Sequence, residues 1–357
     1  MNLSIAPSRI RWEVSNFCQL RCPLCPTAQG IANNSIEVAH LSFYNFKHVV
    51  DENPCVKQIE MSHTGEIFLN PHLIQILEYA HKKGIALTVD NGANLNTAAE
   101  EVLQALVKYR VRSIFISIDG ATPAMYALYR IGGDFNKVIN NIKRINYYKK
   151  MHNAKFPFLT WQFIVFDYNR HEIAAAKKMA HKLAMGFLSK PSWNSNFLAD
   201  EKQNETLECV GSASIFKTIG RNKSKKDYAT TKRVSWAQRL HCGQLWHGPQ
   251  ISSKGAVVGC CHNRAFGDYG NVFYSSLNEC INGEKMQYAR AMLLGKRQER
   301  QDIPCSKCSQ YHAMKEKDAW LTMREIYFFN FLGWIKNRYF FSRKIYSWFY
   351  DAFLKRL

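Results

Sequence analysis

Short apolar runs alternate with longer helical segments across the first half of the chain. The strand-like runs are RIRWEV, KQIEMS, IALTVD, SIFISID, LTWQFIVF and GFLS, all between residues 9 and 190. Segments with helical spacing, such as PHLIQILEYAHKKG and DFNKVINNIKRINYYKK, lie between them. This alternation predicts parallel β/α units, because a crossover helix returns the chain to the start of the next strand. Six units predict an α/β fold, a partial (β/α)6 TIM-like barrel whose chemistry lies at the C-terminal ends of its strands.

Composition divides the 357-residue chain into four regions. We expect the barrel over residues 1–200, a basic linker over 201–240, a small cysteine-rich domain over 241–310 and a helical, aromatic tail over 311–357. With 46% hydrophobic residues the chain can form a sizeable core. No apolar run of signal-peptide length precedes the first strand, and no window reaches the roughly 18 apolar residues that a spanning helix needs. We therefore expect a cytoplasmic protein.

The formal net charge is +20, and part of it is concentrated before the cysteine-rich region. Residues 221–239 carry seven basic side chains and one acidic side chain. Such charge favours an anionic partner, which could be nucleic acid, a phosphorylated substrate or a membrane surface. A solvated, soluble surface is an equally good interpretation of the same charge.

The first cysteine set is Cys18, Cys22 and Cys25, in a short loop after the first strand-like run. The chain has eleven cysteines, and in a reducing compartment they indicate metal or redox chemistry rather than disulfides. Three thiolates can ligate a [4Fe–4S] cluster and leave one iron open to another ligand. Zinc would need a fourth ligand, which His40 or His63 could supply only by folding back onto the loop.

The second cysteine set is Cys242, Cys260, Cys305 and Cys308. Two separated cysteines followed by a C-x2-C pair can close four ligands around one centre, and this pattern fits zinc or an iron–sulfur cluster equally well. Cys261 could replace Cys260, but neighbouring side chains in an extended segment point to opposite faces, so only one of them is expected to serve. The remaining thiols, which we expect to be ordinary buried or partly buried side chains, are Cys55, Cys209 and Cys280.

The C-x3-C-x2-C loop after a first strand resembles the signature of the radical S-adenosylmethionine (SAM) superfamily. The resemblance implies that Cys18, Cys22 and Cys25 hold a [4Fe–4S] cluster whose open iron binds SAM. One electron would then cleave SAM to methionine and a 5′-deoxyadenosyl radical, which abstracts hydrogen from the substrate. The sequence departs from the family at Leu24, where an aromatic residue near the adenine is common.

Two further segments resemble the SAM-binding segments of this family. MSHTGEIFLNP resembles its glycine–glutamate motif, which implies that Gly65 and Glu66 hold the amino group of SAM. ISIDGATPAMYALYRIGGDF resembles the fourth-strand region, which implies that Ser117 and Asp119 line the SAM site. Arg130 would pair with the SAM carboxylate, because a guanidinium binds carboxylates through two parallel hydrogen bonds.

The second cysteine set, with Gly255 five residues before Cys260, resembles the SPASM domain or its shorter twitch form. Cys280 stands where a tryptophan is common, and no cysteine follows Cys308. The resemblance implies one auxiliary [4Fe–4S] cluster with an electron-transfer role. Relatives of this architecture modify peptides and proteins or oxidise carbohydrate-like alcohols, and a reductant such as flavodoxin or ferredoxin would supply the electron.

The tail from Trp320 to Leu357 contains fourteen Trp, Tyr or Phe residues interleaved with basic residues. It could pack on the barrel, lie at a membrane interface or contact nucleic acid, with nucleic acid the weakest of the three. Two alternatives to the main hypothesis remain open at this point. One is a radical SAM enzyme that modifies RNA, and the other is a non-catalytic zinc-binding scaffold.

Overall fold

All six predicted strands form, and they lie parallel in one sheet in the order of the sequence. The computed structural model describes residues 3–30, 39–191, 239, 241–263 and 266–338, with the side chains of 332–338 left out. The α/β prediction is confirmed, with six parallel strands in a TIM-like sheet. The strands are β1 (Arg9–Trp12), β2 (Gln58–Glu60), β3 (Ala86–Ala93), β4 (Ser113–Ser117), β5 (Phe158–Val165) and β6 (Gly186–Pro191).

Two strands of the cysteine-rich region extend the same sheet. β7 (Gln250–Ile251) pairs parallel to β1, and β8 (Val257–Gly259) pairs antiparallel to β7. The backbone N–H groups of Arg11 and Glu13 donate to carbonyls of the β7 segment, each at 3.0 Å. The sheet order is therefore β6-β5-β4-β3-β2-β1-β7-β8. The regions expected as separate domains share one continuous hydrogen-bonded ladder.

Helices connect the parallel strands, and capping side chains fix where several of them begin. Ser42, Thr122 and Asp134 each accept a hydrogen bond from a backbone N–H three residues later, which satisfies a donor that the first helical turn leaves unpaired. These helices are α1 (Phe43–Glu52), α2 (Leu73–Lys82), α3 (Glu100–Lys108), α4 (Pro123–Tyr129), α5 (Phe135–Met151) and α6 (Ile173–Lys182).

A buried arginine ties the cysteine-rich region to the N-terminal segment. Arg290 is fully buried, and its guanidinium donates to the backbone carbonyl oxygens of Leu245 and Leu3. The side chain of Asn282 also exchanges two hydrogen bonds with the backbone of Ile5. The helices of this part are α7 (Gln244–His247), α8 (Leu277–Asn282), α9 (Glu284–Leu293), α10 (Ser309–Glu316) and α11 (Met323–Arg338).

The first part of the aromatic tail packs onto the rest of the protein. In α11, Ile326, Phe328 and Phe329 are buried, and the ring of Phe329 lies 5.9 Å from that of His247. Among the described helices, none combines the length and the apolar character that crossing a bilayer requires. The aromatic residues from 339 onward, and residues 201–238 of the basic linker, lie outside the described residues.

Candidate active site and auxiliary cysteine site

The first cysteine loop leaves the C-terminal end of β1, where chemistry is expected in this fold. The N–H of Cys25 donates to the carbonyl of Cys22, which closes the loop into a tight turn. Cys22 is buried, while Cys18 and Cys25 are half-buried. Burial and the nearby Glu66 raise the pKa of the Cys18 thiol to about 12. Thiolates are therefore disfavoured in this loop unless a cationic centre binds them.

A glycine allows the segment after β2 to pack closely against this loop. Gly65 has φ +68°, and a Cβ there would lie 2.6 Å from the carbonyl oxygen of Ser15 and 2.7 Å from the nitrogen of Phe17. Only glycine permits both this conformation and this approach. The N–H of Glu66 donates to the carbonyl of Phe17 at 2.6 Å, so the two segments are locked together. The predicted Gly65–Glu66 pair thus adjoins the cysteine loop.

The Glu66 carboxylate is almost completely buried beside the cysteine loop. Burial raises its pKa to about 7, while hydrogen bonds from the backbone N–H groups of Asn94 and Phe68 oppose that rise. The Asn94 side chain donates to the sulfur of Cys18 at 3.6 Å. This contact of Asn94, which directly follows β3, was not predicted from the sequence.

Asp119 and Arg130 form a buried ion pair that also reaches the cysteine loop. The Nε and Nη2 atoms of Arg130 lie 2.7 and 2.6 Å from one oxygen of Asp119, whose other oxygen accepts from the N–H of Ile164. Nη1 of Arg130 lies 3.7 Å from the sulfur of Cys22. Burial raises the pKa of the Cys22 thiol, and the positive charge of Arg130 opposes that effect. The structure thus gives Arg130 two protein partners, an anion and a cysteine sulfur.

Ser117 lies at the end of β4, beside an irregularity in β3. Its hydroxyl accepts a hydrogen bond from Nε2 of Gln162 at 3.2 Å. Gly92 has φ +110°, and a Cβ at that position would lie 2.4 Å from the Ser117 hydroxyl. At the end of β6, Lys190 has its pKa lowered to about 8, chiefly by burial, with a further contribution from Arg130. Gln162 and Lys190 were not predicted from the sequence, because single polar residues inside strands carry no local signal.

Aromatic residues from α4 and from the segment after β5 pack beside Leu24 of the cysteine loop. The rings of Tyr129 and Phe166 lie 4.7 Å apart, and Phe166 stacks on Tyr168 at 5.3 Å with an interplanar angle of 10°. Leu24 packs at the edge of this group together with the cysteines of the loop. The aromatic surface that the loop itself lacks is therefore supplied by residues after β4 and β5.

The four cysteines of the second set line a single cavity. Cys242, Cys260 and Cys305 are buried, and Cys308 is half-buried. Burial, together with repulsion from the neighbouring cysteines, raises the pKa of Cys242 and Cys260 well above the usual range. Cys261 is not part of this lining, which favours Cys260 as the ligand.

A tyrosine and two glycines lie on the segments that adjoin the cavity cysteines. The hydroxyl of the buried Tyr269 lies 3.2 Å from the sulfur of Cys305. Gly259 has φ +81°, and a Cβ there would lie 2.8 Å from the Tyr269 ring. Gly255 has φ +82°, and a Cβ there would lie 2.7 Å from the ring of Phe273. The glycine that carries the SPASM resemblance is therefore required by a turn with no space for a side chain.

The chemistry of the donors suits an iron–sulfur cluster in both cysteine sets, because such clusters are held by cysteine thiolates. Within the described ranges, one set of three or more His, Cys, Asp or Glu ligand atoms lies mutually within 4.8 Å, and it contains no residue of either cysteine set.

A buried carboxylate links the strand ends of the two regions. Glu13, directly after β1, accepts hydrogen bonds from the N–H and hydroxyl of Thr64 after β2. Its other oxygen accepts from the N–H and hydroxyl of Ser253 after β7, at 3.4 and 3.5 Å. Nδ1 of His63 lies 3.9 Å from the same carboxylate. His63 is thus paired with Glu13, and His40 and His72 lie near each other rather than in the loop of three cysteines.

The remaining cysteines differ in environment. The expectation for Cys55 is wrong, because this thiol is exposed in the turn after α1. Cys280 is buried in α8, where its sulfur packs against the backbone of Gly270. Cys209 lies outside the described residues.

Family comparisons agree with the two sites. Residues 12–165 match the model of the radical SAM superfamily, and residues 242–309 match that of the SPASM iron–sulfur cluster-binding domain. No curated protein sequence matches the chain. The first match contains Cys18, Cys22 and Cys25, and the second begins at Cys242 and ends one residue after Cys308.

Solved structures with the same fold include SuiB of Streptococcus suis. SuiB bound to S-adenosylmethionine has a TM-score of 0.58 at 12% identity, with 85% of this chain and 71% of SuiB covered. SuiB bound to the precursor peptide SuiA has a TM-score of 0.58 at 12% identity, with 87% of this chain and 71% of SuiB covered. At this identity the similarity establishes the shared fold.

The chain contains a radical SAM domain over residues 12–165 and is an enzyme. It also carries a C-terminal SPASM-type domain, so its cofactors are SAM, a SAM-binding [4Fe–4S] cluster and auxiliary iron–sulfur chemistry. The alternative of a non-catalytic zinc scaffold is wrong.

Proposed function

We propose that this enzyme uses SAM to abstract a hydrogen atom from a peptide or protein, with one auxiliary [4Fe–4S] cluster as electron acceptor. The observation that carries the proposal is the cysteine loop at the end of β1, locked against the Gly65–Glu66 segment by close backbone contact. The peptide substrate class is supported by the fold shared with SuiB, whose structure holds a precursor peptide. No feature of the described residues favours RNA or a carbohydrate-like substrate.

In this proposal Cys18, Cys22 and Cys25 hold the cluster, and the missing fourth protein ligand leaves the position for SAM. When bound, the cluster and SAM would supply a 5′-deoxyadenosyl radical able to remove a hydrogen atom from the substrate. Transfer of one further electron to the auxiliary cluster and release of one proton would complete a two-electron oxidation of the substrate.

The surrounding residues have separate tasks. Gly65 and Glu66 bind the amino group of SAM, while Ser117 and Asp119 line the pocket at the end of β4. Arg130 keeps its ion pair with Asp119 and aims a further N–H at the sulfur of Cys22, at 3.7 Å. Any contact of Arg130 with the SAM carboxylate would use donors that remain after these two interactions, since a guanidinium has five N–H groups.

Cys242, Cys260, Cys305 and Cys308 ligate the auxiliary cluster. All four ligands come from the protein, so this cluster has no open iron and is suited to accept an electron rather than to bind substrate. Both cysteine sites lie on segments joined to β1 and β7, which are hydrogen-bonded neighbours in the sheet. This arrangement supports electron transfer between the substrate site and the auxiliary cluster.

The test is anaerobic reconstitution with iron and sulfide, reduction, and measurement of 5′-deoxyadenosine by mass spectrometry. We expect about eight irons per chain for two [4Fe–4S] clusters and reductive SAM cleavage. Cys22→Ala should abolish cleavage, whereas Cys280→Ala, a matched buried thiol outside both sets, should retain it. Zinc without iron in reconstituted protein would refute the cluster assignment.

The substrate class requires a second experiment. Cells are grown with deuterated amino acids, and their extract is divided into a fraction of peptides and proteins and a fraction of small molecules. Deuterium that appears in 5′-deoxyadenosine only with the peptide and protein fraction supports the proposal. Transfer only from the small-molecule fraction would refute the substrate class while leaving the radical SAM chemistry in place.

A further inference from the structure

Three side chains next to the auxiliary cavity converge in a way that the four-cysteine set does not explain. The ligand atoms of His241, Cys261 and His262 all lie within 4.8 Å of one another. The rings of His241 and His262 meet edge to face, with centroids 4.9 Å apart. His241 directly precedes the cavity residue Cys242, and Cys261 and His262 directly follow the cavity residue Cys260.

The backbone separates these side chains from the cavity cysteines. His241 and Cys242 are consecutive residues of one helical turn, so their side chains point about 100° apart. On the other side, the N–H of Asn263 donates to the carbonyl of Cys260 at 3.2 Å, which closes a turn with Cys261 and His262 at its tip. Cys260 is buried, whereas Cys261 is half-buried and His262 is exposed. The same two chain segments therefore present Cys242 and Cys260 to the cavity and a second set beside it, of which His262 reaches the cavity wall.

Hydrogen bonds hold this turn in place. The N–H of Cys261 donates to Oε1 of Gln244 in α7 at 2.9 Å. The side chain of Asn263 donates to the carbonyl of Val258 at 2.6 Å. Gln244 follows Cys242 by two residues, so this bond fixes the turn against the segment that carries His241. Ligands that are oriented by such outer contacts bind metal more tightly than ligands on a loose loop.

The donor types select the kind of ion. Two imidazole nitrogens and one thiolate suit a borderline-soft divalent ion such as Zn²⁺, while Mg²⁺ and Ca²⁺ prefer oxygen ligands. The separation also fits one ion, because ligands at about 2.0–2.3 Å from zinc lie at most about 4.6 Å apart and a small side-chain rotation closes the difference. Among the described residues the set has three members. Three protein ligands leave one coordination position for water or substrate, as in catalytic zinc sites.

We propose that His241, Cys261 and His262 bind one Zn²⁺ ion beside the auxiliary cluster, with a fourth coordination position open to an exogenous ligand. His262 also lines the four-cysteine cavity, so the ion adjoins the cluster wall. A zinc ion there can hold an electron-rich substrate group, such as a carboxylate, imidazole or thiolate of a peptide, close to the electron acceptor. This role rests on the proposed peptide substrate and electron acceptor, whereas binding of the ion itself does not depend on the SAM chemistry.

The test uses Zn²⁺ alone, added to protein whose iron–sulfur sites have first been loaded. We expect one zinc per chain to survive gel filtration, with X-ray absorption showing one sulfur at about 2.3 Å and two nitrogens at about 2.0–2.1 Å. An all-sulfur zinc environment would place the ion in the cysteine cavity and overturn the proposal, as would zinc that washes away completely. This measurement on the unaltered protein decides the question even where a variant fails to fold.

Variants then assign the ligands. His241→Ala/His262→Ala should lose the zinc, while His171→Ala/His181→Ala, a pair of exposed histidines elsewhere, should keep it. Cys242→Ser should lose the auxiliary iron and retain zinc, since Cys242 belongs to the other set. Retention of zinc by the His241→Ala/His262→Ala protein would overturn the assignment, whatever the outcome for SAM cleavage.

Discussion

Replacement of Gly65 by alanine should disable the cysteine loop, while the same change at Gly84 should be mild. The two glycines have nearly the same backbone conformation, with φ +68° and +69°. Alanine at either position must adopt a left-handed conformation, which costs about 1–2 kcal/mol. Their surroundings differ, because a new Cβ at Gly84 would meet nothing within 4 Å, whereas at Gly65 it would lie 2.6–2.7 Å from three backbone atoms.

The additional effect at Gly65 follows from these distances. Carbon atoms in contact normally lie about 3.5–4.0 Å apart, so the segment must retreat from the loop by roughly 1 Å. That movement breaks the hydrogen bond from the N–H of Glu66 to the carbonyl of Phe17, and leaving such a donor unsatisfied costs about 1–3 kcal/mol. Gly65→Ala should therefore destabilise the protein by about 1–3 kcal/mol more than Gly84→Ala does.

The assay combines thermal unfolding of the iron-free proteins with iron analysis after anaerobic reconstitution. Gly84→Ala should retain about eight irons per chain, whereas Gly65→Ala should fall to about four, because the auxiliary site is built from other segments. The electron paramagnetic resonance spectrum of reduced Gly65→Ala protein should therefore lack the cluster signal that changes when SAM is added. Equal unfolding midpoints and equal iron contents for the two variants would refute the reasoning.

Three further outcomes follow from the sites. Cys242→Ser should remove about four irons per chain, whereas Cys280→Ser should remove none, and this is measured by iron analysis. The pKa of Glu66 is raised from its usual 4.5 to about 7, so the folded iron-free protein binds a proton that the unfolded chain has lost, and its stability falls as the pH rises from 4.5 to 7. Glu66→Gln should therefore flatten the pH dependence of the unfolding midpoint, and an unchanged slope would contradict this reasoning. Tyr269→Phe removes the hydroxyl 3.2 Å from the sulfur of Cys305, so a redox titration should show a lower auxiliary potential at unchanged iron content, and an unshifted potential would exclude a tuning role.

Features that depend on residues close together in the sequence were predictable from it. The six strands follow from apolar runs that repeat between helical segments, and each run lies in β1 to β6. The loop of Cys18, Cys22 and Cys25 is likewise local, since the spacing of these cysteines is set by the few residues between them. Gly65 was recognised through a short motif, and the structure supplies the physical reason, a close approach that excludes any Cβ.

Contacts between distant segments were not predictable in the same way. Asn94 reaches Cys18 across 76 positions of sequence, and Glu13 connects Thr64 with Ser253 across the strand ends. The family resemblance implied that Arg130 pairs with the SAM carboxylate, whereas in the folded chain its Nη2 atom lies 2.6 Å from a carboxylate oxygen of Asp119. Single polar residues of this kind carry no periodicity, so only the fold brings their roles into view.

The pairing of β7 with β1 has a consequence for attempts to divide this protein. A chain cut after residue 191 would expose the backbone groups at the edge of β1 that faces β7, including the N–H donors of Arg11 and Glu13. An uncovered strand edge is a template for intermolecular pairing and aggregation. The SPASM segment thus covers the β1 edge of the barrel sheet in addition to carrying the second cysteine set. Fusions or truncations that keep the first 259 residues together should therefore be far more soluble than the barrel alone.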